Sequence, residues 1–351
     1  MSVVSTPAPA PELQQKTDPA QLLMQLSTGY MASACIQVAT KLKMPDLLAH
    51  GPRPIHELAA TAGANEDRLY RVLRVLASLG VFHESAPRTF ALTPAADGLR
   101  SDVPNSFRDM ALWITSPFHF RVYSEMLHSV KTGEITIEHV YGKPVFEFFP
   151  QNPEISELFN NGMTCLSKVV TPALLEAYDF SGIHTLMDVA GGHGALLGAI
   201  LNKYPEMRGI LIDLEHVIEG AKRLPQNQAL STRCQFLAAD FFAEVPSGAD
   251  AIIMKHIIHD WEDDKAGTIL RNCCKALAGK PNARILLVES VLPEGNEPHP
   301  GKFIDLEMFV FPGGRERTER EFRKLFESAG LRLTRVIPMK APLWLIEGVP
   351  A

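Results

Sequence analysis

Met187-Asp188-Val189-Ala190-Gly191-Gly192-His193-Gly194 is the stretch that decides how this chain folds. An apolar strand pattern over Thr185–Ala190 runs straight into a glycine-rich turn, and helical spacing resumes over Gly194–Tyr204. Glycines at a strand-to-helix turn let a ligand approach the backbone, because no Cβ stands in the way. The same rhythm repeats downstream. Strands are predicted at Gly209–Asp213, Cys234–Ala238, Ala249–Lys255 and Arg284–Glu289, with helices at His216–Arg223 and Asp263–Leu277. A helix over Glu319–Ser328 precedes two more strands, Leu331–Ile337 and Trp344–Glu347. This alternation implies an α/β, Rossmann-like fold: a mostly parallel sheet covered by helices on both faces. Ligands of such sheets bind at the carboxyl ends of the strands, where the topology switches.

The first part of the chain has a different rhythm. Gln21–Leu48 is apolar at helical spacing and ends in the turn Gly51–Pro54. Ile55–Ala62, a turn at Gly63–Asn65 and a helix from Glu66 to Leu79 follow, the last stopped by Gly80. Val81–Glu84 and Thr89–Leu92 read as a short β-wing. Helix, turn, helix and wing outline a winged helix over residues 19–106. Residues 107–180 are expected to be linker helices of the second domain (107–351), among them Glu154–Tyr178, interrupted or bent near Pro172. The Pro/Ala/Gln-rich start, residues 1–18, reads as a loose tail with no secretion-signal order.

With 351 residues and 46% hydrophobic content the chain is long enough for two well-cored domains. A net charge of −6 offers no general attraction to nucleic acid or to an anionic membrane. Arg68, Arg71 and Arg74 on the second winged-helix segment would serve DNA binding, but Glu66 and Asp67 open the same helix and no wider basic surface joins them. No apolar run is long enough to cross a bilayer. Cys35, Cys165, Cys234, Cys273 and Cys274 are scattered, without a C-x-x-C pair. They indicate neither a disulfide framework nor zinc, and suit a reducing cytoplasm. His256 and His259 have no carboxylate–histidine set around them at a familiar ligand spacing, so no metal is expected.

Acids close the successive strands. Asp213 ends Gly-Ile-Leu-Ile-Asp, where a carboxylate takes the ribose hydroxyls of a bound nucleoside. Asp240, in Ala239-Asp240-Phe241, can meet an adenine amine while Phe241 covers the base. Any one of these acids would also suit a helix N-cap; three at successive strand ends are hard to explain that way. A dinucleotide would want G-x-G-x-x-G, but Gly198 comes one residue too late after Gly192 and Gly194. With Asp188 inside the first strand, the pattern D-x-x-G-G-x-G favours S-adenosylmethionine.

A buried parallel strand is nearly all apolar. In Ala251-Ile-Ile-Met-Lys-His-Ile-Ile-His-Asp-Trp261, Lys255 and His259 break that rule where the strand runs out into the site. Glu289 ends the fifth strand and Glu316 lies in Pro312-Gly-Gly-Arg-Glu-Arg-Thr318. A carboxylate on one ring nitrogen of an imidazole fixes its tautomer and leaves the other nitrogen free as a base. A packed, hydrogen-bonded His-Asp turn is the structural alternative for His259 and Asp260.

MDVAGGHGA, GILIDLEHVIE, KHIIHDWEDD, LLVESVLP and PGGRERT, in this order and spacing, make the chain from about Pro19 to Gly348 resemble the small-molecule O-methyltransferases typified by plant caffeic acid O-methyltransferase and microbial natural-product enzymes. The resemblance implies a class I methyltransferase sheet, S-adenosylmethionine as donor, a hydroxylated, aromatic small-molecule acceptor and a homodimer formed through the winged helix, to which the apolar Met24–Ala39 segment is suited. It implies His259 as catalytic base flanked by Glu289 and Glu316. Asp213, Asp240, Phe241, Lys255, Ala190 and Gly192 would hold the donor, and Phe159, Met163 and Met308 the acceptor, although ordinary core packing explains the last three equally well. The chain departs from the family pattern at Ala190, the first of three family glycines, at Leu166 in place of a histidine and near Phe311, where an asparagine is missing. These departures predict a more apolar acceptor pocket. The competing readings are N- or C-methylation, a cofactor-assisted oxidation on the same fold, or a nucleotide-sensing DNA-binding regulator.

Overall fold

The computed structural model describes residues 18–351, so the expected tail lies outside the described residues apart from Asp18. Two compact units divide at Ser116/Pro117.

In the first unit, helices Gly29–Lys41, Ile55–Ala62 and Glu66–Ser78 precede strands Phe82–Ala86 and Thr89–Leu92. Arg53–Pro54 adds a third strand, too short for periodicity to signal, on the edge beside Thr89–Leu92. Asn65 caps the helix it precedes, its side chain accepting from the Arg68 N–H at 3.1 Å. Leu58, Leu73, Leu76, Phe82 and Phe90 form the core of this winged helix. The opposite result holds along Pro19–Val38. Leu23, Met24 and Leu26 are each about two-thirds exposed, and Tyr30 and Met31 are exposed too. Such a contiguous apolar row is a surface awaiting a partner.

In the second unit, α1 (Pro153–Ala177) passes through Pro172 without interruption. The main sheet follows: β1 (Thr185–Val189), α2 (Ala195–Lys203), β2 (Arg208–Asp213), α3 (Glu215–Lys222), β3 (Cys234–Ala238), β4 (Ala251–Lys255), α4 (Asp263–Ala276), β5 (Arg284–Glu289), α5 (Gly301–Val310), α6 (Glu319–Ser328), β6 (Leu331–Pro338) and β7 (Trp344–Pro350). The seven strands lie in the order β6-β7-β5-β4-β1-β2-β3. All pairings from β5 through β3 are parallel, while β7 runs antiparallel between β5 and β6. The order reverses between β1 and β4, so the switch point lies where the glycine turn and the Lys255–Asp260 segment leave the sheet. Ile252, Ile253, Met254, Leu286 and Leu287 are fully buried, as a sheet covered on both faces requires.

A second, small pairing matters more for the site than its size suggests. Val291–Leu292, just beyond β5, pairs in parallel with Arg317–Thr318. This register brings Glu289 and Glu316, 27 residues apart in sequence, to one end of the sheet.

Candidate active site

The glycine turn is shaped by the protein itself before any ligand. A Cβ on Gly191 would stand 2.5 Å from the Asp188 carboxyl and from Leu211, so this glycine exists for close packing beneath the turn. Gly192 is different: φ is +59° and nothing lies within 4 Å of a built Cβ. That is the open approach a ligand needs. Ala190, the departure from the family's glycines, has φ +54°. The position keeps a glycine-like left-handed backbone while carrying a methyl, at a cost of about 1 kcal/mol.

Asp213 closes β2 and turns back on the glycine turn. Its Oδ2 accepts from the Gly192 N–H and its Oδ1 from the Leu214 N–H, both at 2.8 Å. It is not a side-chain cap of α3, whose N-cap residue is Leu214. Asp240 accepts from the Phe242 N–H at 2.8 Å and remains exposed. Phe241 is half-buried against Phe242 and Trp261. Sequence reading missed Asn272 on α4, whose amide donates to the carbonyls of Phe241 and Phe242 and pins that loop. No motif marked it.

At the other side of the switch point, His259 sits on a single 3-10 turn, Ile258–Asp260, and is 5% exposed. Its Nδ1 lies 2.8 Å from Glu316 Oε1 and 3.8 Å from Glu289 Oε2, and its Nε2 is 3.4 Å from Asp260 Oδ1. With Nδ1 donating to Glu316, the lone pair of the neutral ring is at Nε2. Glu289 in turn accepts from the N–H groups of Ile257 and Ile258 at 3.0 and 2.9 Å, fixing the turn that carries the histidine. Arg317, fully buried, donates to the Ile258 and Trp261 carbonyls and to Asp263, so it ties the Glu316 loop to the same turn. The Arg315 N–H donates to the His259 carbonyl at 2.8 Å. Gly314 makes this approach possible: a Cβ there would fall 2.0 Å from the His259 carbonyl oxygen.

The electrostatics follow from burial and crowding. Burial alone would lower the His259 pKa; the charges of Glu289, Asp260 and Glu316 outweigh it and push it to about 10. Burial raises Glu289 to about 7, and raises Asp188 to about 7 beneath the glycine turn. Lys255 is lowered by burial, with Asp188 and Glu289 opposing. His256, in left-handed backbone at φ +56°, is held neutral by burial and by the neighbouring His259 and Lys255. Among the described residues, Asp188 Oδ2, His256 Nε2, Glu289 Oε2 and Glu316 Oε2 are buried without a hydrogen-bond partner. Buried polar atoms are rarely left so, and their concentration at the strand ends marks a place built for something to bind.

The expectation that no metal-ligand set exists here rested on sequence spacing. The fold nonetheless brings ligand atoms of His256, His259 and Glu289 within 4.8 Å of one another. Two of these residues already have other work: His259 Nδ1 is engaged by Glu316, and one Glu289 oxygen by two backbone N–H groups.

Among the residues expected to hold the acceptor, Met308 on α5 is buried, and its carbonyl accepts from the Gly313 and Gly314 N–H groups at 2.8 and 3.2 Å. It therefore joins the Glu316 loop directly. Phe159 and Met163 lie one turn apart on α1, both half-buried, with Phe159 stacked on Phe149 at 4.7 Å. A polar trio was not foreseen. His119 Nε2 and the Tyr123 hydroxyl meet the two oxygens of Glu307, the residue before Met308, at 2.8 and 2.7 Å. Phe311 packs against both rings. The surroundings of Met308 are thus less uniformly apolar than Leu166 and Phe311 alone suggest. The only advance signal was His119 and Tyr123 spaced one helical turn apart.

Comparison with known proteins now becomes decisive. A family described as the O-methyltransferase domain matches residues 123–332, and one described as the O-methyltransferase dimerisation domain matches residues 24–102. The chain belongs to this O-methyltransferase family. It is an S-adenosylmethionine-dependent methyltransferase with a dimerisation domain at its front. The phenazine O-methyltransferase of Lysobacter antibioticus is 42% identical over 94% of this methyltransferase and 96% of its own length. An 8-amino-8-demethylriboflavin N,N-dimethyltransferase of Streptomyces davaonensis is 31% identical over 94% of this chain and 95% of its own. The crystal structure of a neocarzinostatin-biosynthesis O-methyltransferase with S-adenosylmethionine and 2-hydroxy-5-methyl naphthoic acid is 29% identical with a TM-score of 0.79, covering 96% of this chain and all of that one. The Rossmann-like sheet, the donor and the methyltransferase class expected from sequence are thereby established. Among the described residues no helix is long and apolar enough to cross a membrane.

Proposed function

We propose that this methyltransferase places a methyl group on a hydroxyl of an aromatic small molecule, using His259 as the base and no metal. The observation that carries the reading is the His259 Nδ1–Glu316 bond of 2.8 Å inside a cluster of carboxylates, one switch point away from the Gly192–Asp213 turn.

The donor half suits S-adenosylmethionine. Asp213 is positioned for ribose hydroxyls, Asp240 and Phe241 for adenine, and Ala190, Gly192 and Lys255 for the amino-acid end. The unpartnered Asp188 oxygen and the open space over Gly192 fit a ligand with a polar tail. When bound, the donor supplies an electrophilic methyl on a sulfonium. The protein then has to hold the acceptor oxygen in line and take its proton.

His259 is suited to that task because of its neighbours. A histidine at its ordinary pKa near 6.5 leaves a phenol, near 10, protonated. Raised to about 10, His259 matches the phenol, so the proton passes to Nε2 with little penalty. Glu316 fixes the ring, and Glu289 and Asp260 stabilise the imidazolium that results. Phe159, Met163 and Met308 would enclose the acceptor ring. The small molecules named with the similar proteins, a phenazine and a hydroxynaphthoic acid, are of this aromatic class. The winged helix supports pairing with a second copy through the apolar Leu23–Met31 row, and two of the three arginines on its second helix are engaged, Arg71 with Asp67 and Arg74 over Tyr70. A DNA-binding role is therefore set aside.

The test is His259→Ala. Turnover should fall by roughly 10²–10⁴, the usual contribution of a general base, while S-adenosylhomocysteine affinity stays unchanged. The N,N-dimethyltransferase relative favours one alternative, methylation of an amine. A neutral amine attacks without prior proton removal, so that reading expects the variant to keep its turnover. Abolition of turnover on chelation, as distinct from a slowing of it, would overturn the metal-free part.

A further inference from the structure

Away from the sheet, the chain folds a tight hairpin of two short helices, Met126–Thr132 and Thr136–Tyr141. Gly133, at φ +80°, reverses its direction. The hairpin is closed from inside by a buried bond of 2.7 Å between the Ser129 and Thr136 hydroxyls. On its outer side three side chains converge. His128 Nε2 lies 2.7 Å from Glu134 Oε2, and the rings of His128 and His139 are stacked with centroids 3.6 Å apart and planes 9° from parallel. A ligand atom from each of the three lies within 4.8 Å of the others.

We propose that His128, Glu134 and His139 form a binding site for a zinc-type divalent cation that clips this hairpin shut. Two imidazoles and one carboxylate are the donor set of borderline metals; calcium and magnesium prefer oxygen alone. Zinc–nitrogen bonds of about 2.0–2.1 Å at tetrahedral angles put ligand atoms roughly 3.3 Å apart. Ligand atoms already within 4.8 Å reach that spacing when the two rings turn out of their stack to aim their in-plane nitrogens at one ion, which these surface side chains are free to do, with the fourth position left to water.

The clip would not be isolated from the reaction. Ile135, between Glu134 and Thr136, presses its tip onto Gly313: a Cβ on that glycine would fall 2.3 Å from Ile135 Cδ1. Gly313 is three residues from Glu316, and its neighbour Gly314 abuts the His259 backbone. An ion that stiffens the hairpin therefore stiffens the loop that orients the base.

The experiment uses the full chain, stripped of metal, titrated with zinc chloride against a competing zinc-sensitive dye. One zinc per chain should bind in the micromolar range. His139→Ala and the double variant His128→Ala/His139→Ala should each bind at least tenfold more weakly, and His139→Cys should recover affinity, while all keep the melting temperature of the metal-free parent. Zinc should slow amide exchange in residues 126–141 and 313–316 of the parent but not of the double variant. No zinc binding in the micromolar range would overturn the proposal. So would binding undiminished in the double variant, which would move the ion to His256, His259 and Glu289.

Discussion

Gly314→Ala separates the two halves of the site more cleanly than removal of a catalytic group does. Gly314 has no left-handed backbone, so alanine meets no conformational penalty there. Its methyl would instead fall 2.0 Å from the His259 carbonyl oxygen, 2.2 Å from the Asp260 carbonyl carbon and 2.5 Å from the Trp261 nitrogen. All three are backbone atoms, and no side-chain rotation relieves them. Either the loop or the histidine turn must retreat by about 1 Å, straining a packed region at a cost of about 1–3 kcal/mol. The Arg315–His259 backbone bond goes with it, and so does the alignment of Glu316 on Nδ1. A misplacement of about 1 Å at reacting groups costs on the order of 10²-fold in rate. We expect kcat/KM to fall by that factor, the melting temperature to drop by a few degrees, and S-adenosylhomocysteine affinity to remain within twofold. Gly182→Ala, with nothing within 4 Å of its Cβ, is the control. Steady-state kinetics with calorimetric titration of the product nucleoside decide the matter. A variant that retains more than a third of parental kcat/KM would refute the claim that this glycine sets the base. Parallel loss of nucleoside binding would refute the independence of the two half-sites.

The cluster electrostatics give a pH signature. His259, raised to about 10, must lose its proton to act, so kcat/KM should climb with pH toward that value. Glu289→Gln keeps acceptors for Ile257 and Ile258 but removes a charge 3.8 Å from the ring; the rising limb should shift to lower pH and end on a lower plateau, and an unmoved profile would contradict the assignment. A third prediction concerns Glu347 on β7, next to the edge strand β6. Burial alone would raise Glu347, but hydrogen bonds from Arg335, Tyr178 and Thr334 outweigh it and hold the carboxyl at about 2, against 4.5 unfolded. The group therefore stabilises the fold above pH 4.5, by on the order of 3 kcal/mol, and that contribution is lost as pH falls through 4.5 towards 2. Urea unfolding should show Glu347→Gln less stable at pH 7 and the difference shrinking by pH 3; a constant gap would mean the ion pairs contribute nothing specific.

The sheet was legible because its signal is redundant. Cys234–Ala238 and Arg284–Glu289 are strands over the very residues expected, and β2, β4 and β6 differ by one or two at an end. β2, β4 and β5 are short apolar runs, and the βα alternation leaves few other topologies. Helix α5 was not foreseen. Phe303, Ile304 and Leu306 are exposed while Met308 and Val310 are buried, so its apolar residues trace no single stripe. Glu289 was expected beside His259 because the fourth and fifth strands end side by side, but the arrival of Glu316 was anticipated without its physical cause. It depends on the two-residue pairing of Val291–Leu292 with Arg317–Thr318, shorter than any period can reveal. Asn272 and the His119–Tyr123–Glu307 trio escaped for a related reason: they act through tertiary contacts, and nothing local distinguishes them from ordinary polar residues.

That short pairing also has a bearing on how such a chain diversifies. It ties the base of the excursion that carries α5 and Met308 to the end of β5, with Arg317 riveting the return strand to the histidine turn. The two posts stay fixed whatever is strung between them. Segments of other lengths and side chains can then be exchanged over residues 293–312 as one cassette, up to the glycines at 313 and 314 that must stay, altering the proposed acceptor wall while the proposed proton-handling groups keep their stations.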